Sequence, residues 1–583
     1  DEMLTTNYAK FGNGVVKDGE DESVRIWLEV ANENAGRKIL PFDGLTPADA
    51  YLWSRNRSNH NVLDRLEAMT DLIADSKRGH YGKVGNSTVI KSCRIIKDVM
   101  FGEHAYVKGA NKLKNLTIKS RAGASTQIGE GVELVNGIIE IGCRIFYGVK
   151  AVRFCLRTNA SLKYGARLIN SILGDNGTIS CCEVLNSIVY PAHEQHHNNS
   201  FLVAATVQGQ SNIAAGATIG SNHNSRANDG EIFAGRGFWP GLCVTLKHSS
   251  RFASFCLIAK GNYPAELNVE LPFTLVSNDD QNNTLQLRPG YWFQHNMYAL
   301  ARNSWKCGNR DLKLYSSQCF EYDYLAPDTV EELYRGVEIL EFWAGGSTGG
   351  DDCDPDLVRK RGKGLLESRT LPQNIAVAPT GIEGTSRGVV VLRIQEGYDS
   401  YLEMIHYYGV RVVADHVIKN AISSLDELKQ TFSGATRARW VNLGGQLVRE
   451  GDYEDIIRRI EDGTISSWDS LHDEYRRLSE RYPVQKAQHG FAALLSLHNI
   501  DVNTLDRDEW NCWLDRGLAL QEQVLKRTRT SREKDYQNAF RTMMYGSEQE
   551  MNDVVGPIEK NSFIEELERQ TAAFRQTLEA IRF

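Results

Sequence analysis

An aliphatic or aromatic residue recurs every six positions in the first half of the chain, and no other feature constrains the fold as strongly. The recurring residues are Val84, Ile90 and Ile96, then Phe101, Val107 and Leu113, then Ile128 and Leu134, then Ile213 and Ile219. Glycine often follows such a residue, as in Val84-Gly85, Phe101-Gly102, Ile128-Gly129, Ile141-Gly142, Tyr164-Gly165, Leu173-Gly174 and Ile219-Gly220. A period of six matches neither an α-helix nor the alternation of an ordinary strand.

Six residues are enough for a short strand and a tight corner, so three units make one triangular coil. The sequence therefore predicts a left-handed parallel β-helix of the hexapeptide-repeat kind from about Gly82 to Gly220 and beyond. Six residues are predicted to point into one continuous core: Ile90, Ile96, Val107, Ile128, Ile141 and Ile219. Imperfect units between Gly148 and Asn170 predict interrupted coils there. The alternative is a β-sandwich or barrel, whose turns are usually spaced by about 8 to 12 residues.

A chain of 583 residues is too long for one core, and the pattern predicts a mainly β first part followed by an α-helical part. The predicted units are the end of a coil or a linker (1–21), an inserted helical arm (22–81), a β-helix with an irregular cap (82–310) and a helical domain (311–583). In the arm, helices are predicted over 25–30 and 47–75. The last helix, 563–581, has apolar residues in steps of four and three, which predicts partner helices in this chain or across an oligomer.

Composition excludes several classes of function. The net charge of −7, from 67 basic and 74 acidic residues, disfavours nucleic-acid binding. No apolar run reaches the roughly 18 residues of a membrane-spanning helix, and the eleven cysteines lack the spacing of a zinc site. We therefore expect a cytoplasmic protein with reduced thiols. The chain begins at Asp1 without a methionine, which predicts processing or a longer parent protein.

The histidines are clustered, with His193, His196 and His197 in PAHEQHHNNS, His223 in SNHNSRANDGE and His248 in TLKHSS. We predict His223 as a general base oriented by Asp229 or Glu231, with His196 and His197 as further catalytic candidates. Polar corners of a β-helix also carry His and Asn because these residues tolerate left-handed backbone angles, which is the alternative. The spacing His193-x-x-His196-His197 is a weak metal motif, and no metal is predicted.

Substrate-binding residues are predicted around the same base. Asn222, Asn224 and Arg226 flank His223 and supply hydrogen-bond donors. Local positive charge suited to phosphate or to the nucleotide of a coenzyme A donor comes from Arg226, Arg236, Lys247, Arg251 and Lys260. His248 is also predicted to bind substrate. The same cations are equally well explained as solvated surface charges or as partners of Asp229 and Glu231.

Three stretches carry a resemblance to known proteins: SNHNSRANDGEIFAGRGFWPGLC, YPAELNVELPF and YWFQHNMYALARNSWK. With the repeat, they make the chain resemble large bacterial β-helix proteins of unknown function over most of its length. Through the repeat alone it resembles the hexapeptide superfamily. That resemblance implies trimers, sites between subunits, no tightly bound cofactor, and acyl transfer from coenzyme A or acyl carrier protein. The irregular cap and the long helical part depart from the regular coils and short tail of such transferases.

Two functions follow as predictions. The first is acyl transfer to a sugar or nucleotide-sugar with a histidine base, by a homo-oligomer, as a trimer first and a dimer second. The second is a non-catalytic sugar- or nucleotide-binding or scaffold protein built on a β-helix. Neither involves nucleic acid or a membrane.

Overall fold

Parallel strands dominate the first half of the protein and helices the second. The computed structural model describes residues 26–34, 36–73, 83–221, 228–312, 318–349 and 354–583. The strands that precede residue 290 are β1 (Leu28–Glu29), β2 (Lys38–Ile39), β3 (Lys83–Val84), β4 (Val89–Lys91), β5 (Ile96–Phe101), β6 (Tyr106–Lys108), β7 (Lys112–Ile118), β8 (Gln127–Ile128), β9 (Glu133–Ile139), β10 (Arg144–Phe146), β11 (Lys150–Leu156), β12 (Ser161–Lys163), β13 (Arg167–Leu173), β14 (Thr178–Ser180), β15 (Glu183–Leu185), β16 (Ile188–Val189), β17 (Glu194–Gln195), β18 (Phe201–Val203), β19 (Ala205–Val207), β20 (Thr218–Ser221), β21 (Ile232–Ala234), β22 (Trp239–Pro240), β23 (Val244–Lys247), β24 (Ser250–Phe252), β25 (Leu257–Ile258), β26 (Gly261–Tyr263), β27 (Asn268–Val269), β28 (Leu275–Asp279) and β29 (Thr284–Arg288).

The helices are α1 (Pro47–Arg55), α2 (His60–Ile73), α3 (Tyr291–His295), α4 (Met297–Arg310), α5 (Pro327–Gly346), α6 (Pro355–Glu367), α7 (Ile394–Lys419), α8 (Leu425–Thr431), α9 (Glu450–Glu461), α10 (Trp468–His498), α11 (Arg507–Gln537), α12 (Ala539–Thr542), α13 (Glu548–Val555) and α14 (Ser562–Ala580). Four further strands lie among them: β30 (Asn374–Val377), β31 (Gly388–Leu392), β32 (Trp440–Leu443) and β33 (Gln446–Arg449). Among the described helices, none is long and apolar enough to cross a membrane.

Strands β3 to β28 wind into a β-solenoid of about eleven coils. Each strand pairs in parallel with its counterpart one coil away, so that Lys150 lies opposite Arg167, seventeen residues later. The register stays regular between Gly148 and Asn170, where interruptions were predicted. The insertions lie instead between β7 and β8 and between β20 and β21. The solenoid confirms the coarse fold, whereas its handedness and hexapeptide class stay predictions.

The core is one continuous stack of inward side chains. In one row Leu113 lies on Leu134, which lies on Ala151, and all three are fully buried. Of the six residues predicted to point inward, Val107, Ile128 and Ile219 are buried, and Ile90 and Ile96 of the first coils are partly buried against the core. Ile141 is only partly buried and lies outside this core, because the inward positions beside it are Ile139, Cys143 and Ile145.

The corners explain why glycine and asparagine punctuate the repeat. Asn115 and Asn136 bend their strands at φ of 53° and 57°, and the Asn115 side-chain amide donates to Asn136 at 2.9 Å. Asparagine tolerates this left-handed region better than most residues. Gly102 serves a different need, since a Cβ there would lie 2.5 Å from the backbone of Ser120 on the next coil. Some glycines therefore permit close stacking of coils and not the turn itself.

The N-terminal arm packs on the outside of the solenoid. Residues 28–29 form β1, paired antiparallel with β2, where a helix was predicted. Helices α1 and α2 confirm the second predicted helix in two pieces. Leu66 and Met69 of α2 are buried, whereas Leu72 and Ile73 at its C-terminal end are exposed. The arm shares its core with outward residues of the coils, such as Ile172, and with the C-terminal part, such as Trp468.

Residues 228–310, within the region predicted as a β-helix with an irregular cap, continue the coils and then turn helical. Strands β21 to β28 add further pairs, and α3 and α4 follow after β29. The last coil is extended by β29, which pairs antiparallel with β28, and then by β31 and β30. These strands cover a sheet edge that would otherwise expose unpaired backbone groups.

The C-terminal helices pack on the solenoid and on one another. The predicted seam of α14 is satisfied within the chain, because Leu567 packs among residues of α4 and α7, and Leu578 packs beside Trp510 of α11. Arg236 of the solenoid joins α5, donating to both carboxylate oxygens of Asp328 at 2.8 and 2.9 Å. Arg236 is 1% exposed.

We expect Leu134→Ala to destabilise the solenoid by about 2–5 kcal/mol, because it removes buried methyl groups and leaves a cavity between two coils. Lys150→Ala, at an exposed position one coil away, is the matched control. Chemical unfolding followed by circular dichroism measures both variants. Equal midpoints for the two variants would contradict the assigned stacking.

Asp328→Asn is expected to lower the free energy of unfolding by about 3–5 kcal/mol, since it leaves the buried Arg236 guanidinium without its counter-charge. Arg335→Met, on the exposed side of the same helix, should change it by less than about 1 kcal/mol. Thermal unfolding compares the two. A loss no larger than that of Arg335→Met would show that this ion pair does not hold α5.

Candidate functional site

The predicted base lies outside the described residues, as do its three predicted neighbours. His223, Asn222, Asn224 and Arg226 fall in the insertion between β20 and β21, of which the structure describes residues from 228 onward. Their roles stay predictions.

Glu231, predicted to orient that base, is paired with two arginines of the helical arm. Its carboxylate contacts both terminal nitrogens of Arg55 and one of Arg37, and accepts a hydrogen bond from Thr206 at 3.0 Å. Asp229 lies next to the arm too, with its backbone N–H donating to the Glu33 carboxylate at 3.1 Å. In this arrangement Glu231 fastens the arm to the coils, and its availability to His223 stays a prediction.

Three of the predicted substrate-binding residues lie near one another at β23 and β24. Lys247 is paired with Glu266 at 2.6 Å. The His248 Nδ1 atom accepts a hydrogen bond from the Gly230 N–H at 2.8 Å, so its Nε2 carries the proton in the neutral ring. Arg251 is exposed, with its guanidinium 5.6 Å from the ring centre of Phe233.

Arg236 lies apart from these residues, behind α5. Besides Asp328, it donates to Gln210 at 2.7 Å and to the Asp323 carbonyl at 2.9 Å. Burial opposes its charge, but the neighbouring Asp328 carboxylate raises the pKa of the guanidinium above its usual value. Arg236 thus links the solenoid to helix α5, and its contact with a substrate stays a prediction.

His196 and His197 lie at a solenoid corner with their rings 4.4 Å apart. The His196 Nδ1 atom is 3.9 Å from Oε2 of Glu194. The other carboxylate oxygen of Glu194 pairs with two residues of helix α4, Lys306 at 2.6 Å and Arg310 at 2.8 Å. Partial burial lowers the pKa of His196, and Glu194 only partly opposes this. A neutral imidazole therefore lies beside a carboxylate at a half-exposed corner.

His193 points the other way, into the solenoid. It is fully buried, with Nδ1 2.8 Å from the Ser211 hydroxyl and Nε2 3.2 Å from the Gln195 side-chain oxygen. Burial lowers its pKa to about 4. The weak metal motif is thus divided between inside and outside, and the described part of the chain holds no cluster of three His, Cys, Asp or Glu residues placed for a metal.

A cavity that the sequence reasoning missed lies where the last coil meets α5 and α6. We call it the end cleft; its volume is about 420 Å³. It is lined by Asn268, Val269, Glu270, Leu271, Leu287, Arg335, Glu338, Ile339, Phe342, Trp343, Pro355, Asp356, Arg359, Thr380, Gly381 and Ile382. Buried aliphatic side chains form the floor, and charged residues form the rim.

One face of helix α5 lines the end cleft, and another face packs in the core. Arg335, Glu338, Ile339 and Phe342 follow the spacing of one helical face and line the cleft, whereas Leu333, Val337 and Leu340 face the core. The aromatic Phe342 is 43% exposed. The sequence signal for this cavity was the second row of residues at helical spacing on α5, which ends in the aromatic residue Phe342.

The rim charges are loosely paired. Arg335 lies 3.6 Å from Glu270 and 3.4 Å from Glu338, and Arg359 lies 3.7 Å from Glu338. All four side chains are 45–60% exposed, so these pairs contribute little to stability and can exchange for ligand contacts.

Comparison with known proteins shows relatives without an assigned activity. Residues 1–343 match the family described as "Domain of unknown function (DUF4954)", and residues 420–581 match "Domain of unknown function (DUF6819)". An uncharacterized protein of Treponema pallidum (strain Nichols) is 46% identical over 577 residues, covering 98% of this chain and 78% of the relative. The predicted resemblance to bacterial proteins of unknown function is confirmed. The chain belongs to the DUF4954 family.

Proposed function

We propose that this protein binds a sugar or nucleotide-sugar in the end cleft, as a β-solenoid binding protein. The observation that carries the proposal is the half-exposed Phe342 beside Trp343 in a cavity of about 420 Å³. Ligand pockets of roughly 300–1,000 Å³ with apolar walls and a few convergent polar groups are the usual form of a small-molecule site.

The chemistry of the lining supports this class of ligand. Aromatic faces pack against the C–H groups of a sugar ring or stack on a nucleobase. The carboxylates of Glu270, Glu338 and Asp356 can accept hydrogen bonds from hydroxyl groups, and the guanidinium groups of Arg335 and Arg359 can bind phosphate.

We expect UDP-sugars to raise the unfolding temperature of the wild-type protein and of Phe540→Ala, but not that of Phe342→Ala. A ligand at a hundred times its Kd stabilises the folded state by about 2.7 kcal/mol. Phe540 is 78% exposed on α12, outside the cleft, so it controls for loss of an exposed ring. A panel of sugars, nucleotides and UDP-sugars in a thermal-shift assay measures the effect.

Two results would refute this site. One is the absence of any shift across the panel with the wild-type protein. The other is an equal shift in Phe342→Ala and Phe540→Ala, which would place the ligand elsewhere.

Acyl transfer of the left-handed hexapeptide class is the second candidate, favoured by the neutral His196 beside Glu194. In this mechanism, the imidazole takes a proton from the acceptor hydroxyl or amine as that group attacks the thioester carbon of an acyl-coenzyme A. The carbon–sulfur bond then breaks, and the leaving thiolate takes the proton from the imidazolium. A homotrimer, or failing that a dimer, would place a neighbouring subunit beside this exposed corner.

Thiol release from acetyl-coenzyme A in the presence of UDP-sugars tests the second candidate. His196→Asn should slow it by about 10²–10⁴-fold, the usual contribution of a general base. His104→Asn changes another exposed corner histidine on an earlier coil and should leave the rate unchanged. Wild-type protein without acceptor-dependent release, or a monomeric mass by light scattering, would count against this mechanism.

A further inference from the structure

A second cavity lies between helix α11 and the short helix α3, away from the end cleft. Its volume is about 270 Å³, and we call it the α11 pocket. It is lined by Gln294, His295, Gln523, Lys526, Arg527, Thr530, Ser531 and Lys534. All eight lining residues are polar, which sets this pocket apart from the apolar floor of the end cleft.

The charge of the α11 pocket is positive in a protein whose net charge is −7. Its lining contains three cationic residues and no Asp or Glu among the described residues. Arg527 is 3.6 Å from Glu403, whereas Lys526 and Lys534 are exposed and have no carboxylate within 4.0 Å in the part of the chain that the structure describes. Two lysine charges therefore remain uncompensated at the pocket.

The spacing along α11 places these charges on one face. Lys526, Thr530 and Lys534 are four residues apart, so the two lysines lie about 12 Å from each other along the helix axis. The hydroxyl groups of Thr530 and Ser531 lie between them in sequence. The Ser531 hydroxyl donates to the His295 carbonyl at 3.5 Å, so a compact anion in the pocket would meet cations on either side and the Thr530 hydroxyl between them.

His295 of α3 closes the other side. Its Nε2 atom contacts a terminal nitrogen of Arg288 and so acts as an acceptor, which leaves Nδ1–H as the donor of a neutral ring. The pKa of His295 is lowered first by burial and then by the positive charges of Arg288 and Lys534, with Glu396 opposing. The positive charges of Arg288 and Lys534 thus lie near this imidazole.

We propose that the α11 pocket binds a phosphate-bearing small molecule through Lys526 and Lys534. Ammonium and guanidinium groups with hydroxyl donors are the usual ligands of phosphate oxygens. A half-enclosed cavity of this volume admits a small molecule and not a nucleic-acid duplex or a flat membrane surface. This site shares no lining residue with the end cleft, so it stands independently of the proposed function.

Titration calorimetry of the full chain with inorganic pyrophosphate tests this proposal. We expect one binding event per chain, weakened at least about tenfold for each lysine lost in Lys526→Gln/Lys534→Gln, or about 1.4 kcal/mol each. The matched control is Lys112→Gln/Lys150→Gln, which removes two exposed charges from the solenoid. Lys526→Arg/Lys534→Arg keeps the charge and should retain binding.

Three outcomes would overturn the proposal. Equal affinity in the α11 double variant and the solenoid double variant would show that general charge explains binding. Equal binding of sulfate at the same ionic strength would remove the assignment to phosphate. Binding of phosphatidic acid vesicles through the same lysines, without binding of pyrophosphate, would assign the site to a lipid headgroup. Because both lysines are exposed, circular dichroism should confirm that every variant folds.

Discussion

Stacking of apolar side chains between coils is the interaction on which the rest of the structure depends. One coil cannot bury its own inward residues, because their contacts lie on the coil above and the coil below, as for Leu134 between Leu113 and Ala151. The stack must therefore end in something other than another coil. At the C-terminal end, β29, β31 and β30 extend the sheet, and α5 packs across the last turns. The end cleft is the space left where a helical layer meets the final coil.

The same constraint explains why single residues between distant segments matter. A solenoid presents long flat faces, and the elements that cover them need fixed points of attachment. Glu231 forms an ion pair with Arg55 of the arm, 176 residues earlier, and Arg236 forms one with Asp328 of α5, 92 residues later. Glu231 and Arg236 were themselves predicted to belong to the catalytic and substrate-binding site. Charges that resemble a site in the sequence thus serve as attachment points in the structure.

The repeat made the fold predictable and left the site unpredictable, for one physical reason. A period of six is local, so Val107, Ile128 and Ile219 could be placed in the core from the sequence alone. The partners of Glu231 and Arg236 are distant in sequence. Neither residue type nor spacing reveals that Glu231 pairs with an arginine of the arm or that Arg236 pairs with an aspartate of α5. Helix periodicity predicted α5 but not that a second face of this helix lines a cavity. That role of Phe342 depends on the last coil, which lies opposite it.

Both proposed pockets belong to junctions and not to the repeat. The end cleft combines residues 268–271 and 287 of the last coils and their extension with residues of α5 and α6 and with residues 380–382, on both sides of the end of the DUF4954 match at residue 343. The α11 pocket combines residues 294–295 with residues 523–534, which lie in the two different matched segments. Regular coils expose repeated, shallow faces, whereas the end cleft lies where a helix packs against the last coil and the α11 pocket lies where two helices meet. If the two proposed pockets bind small molecules, their affinity is therefore expected to depend on how the helical part is joined to the solenoid.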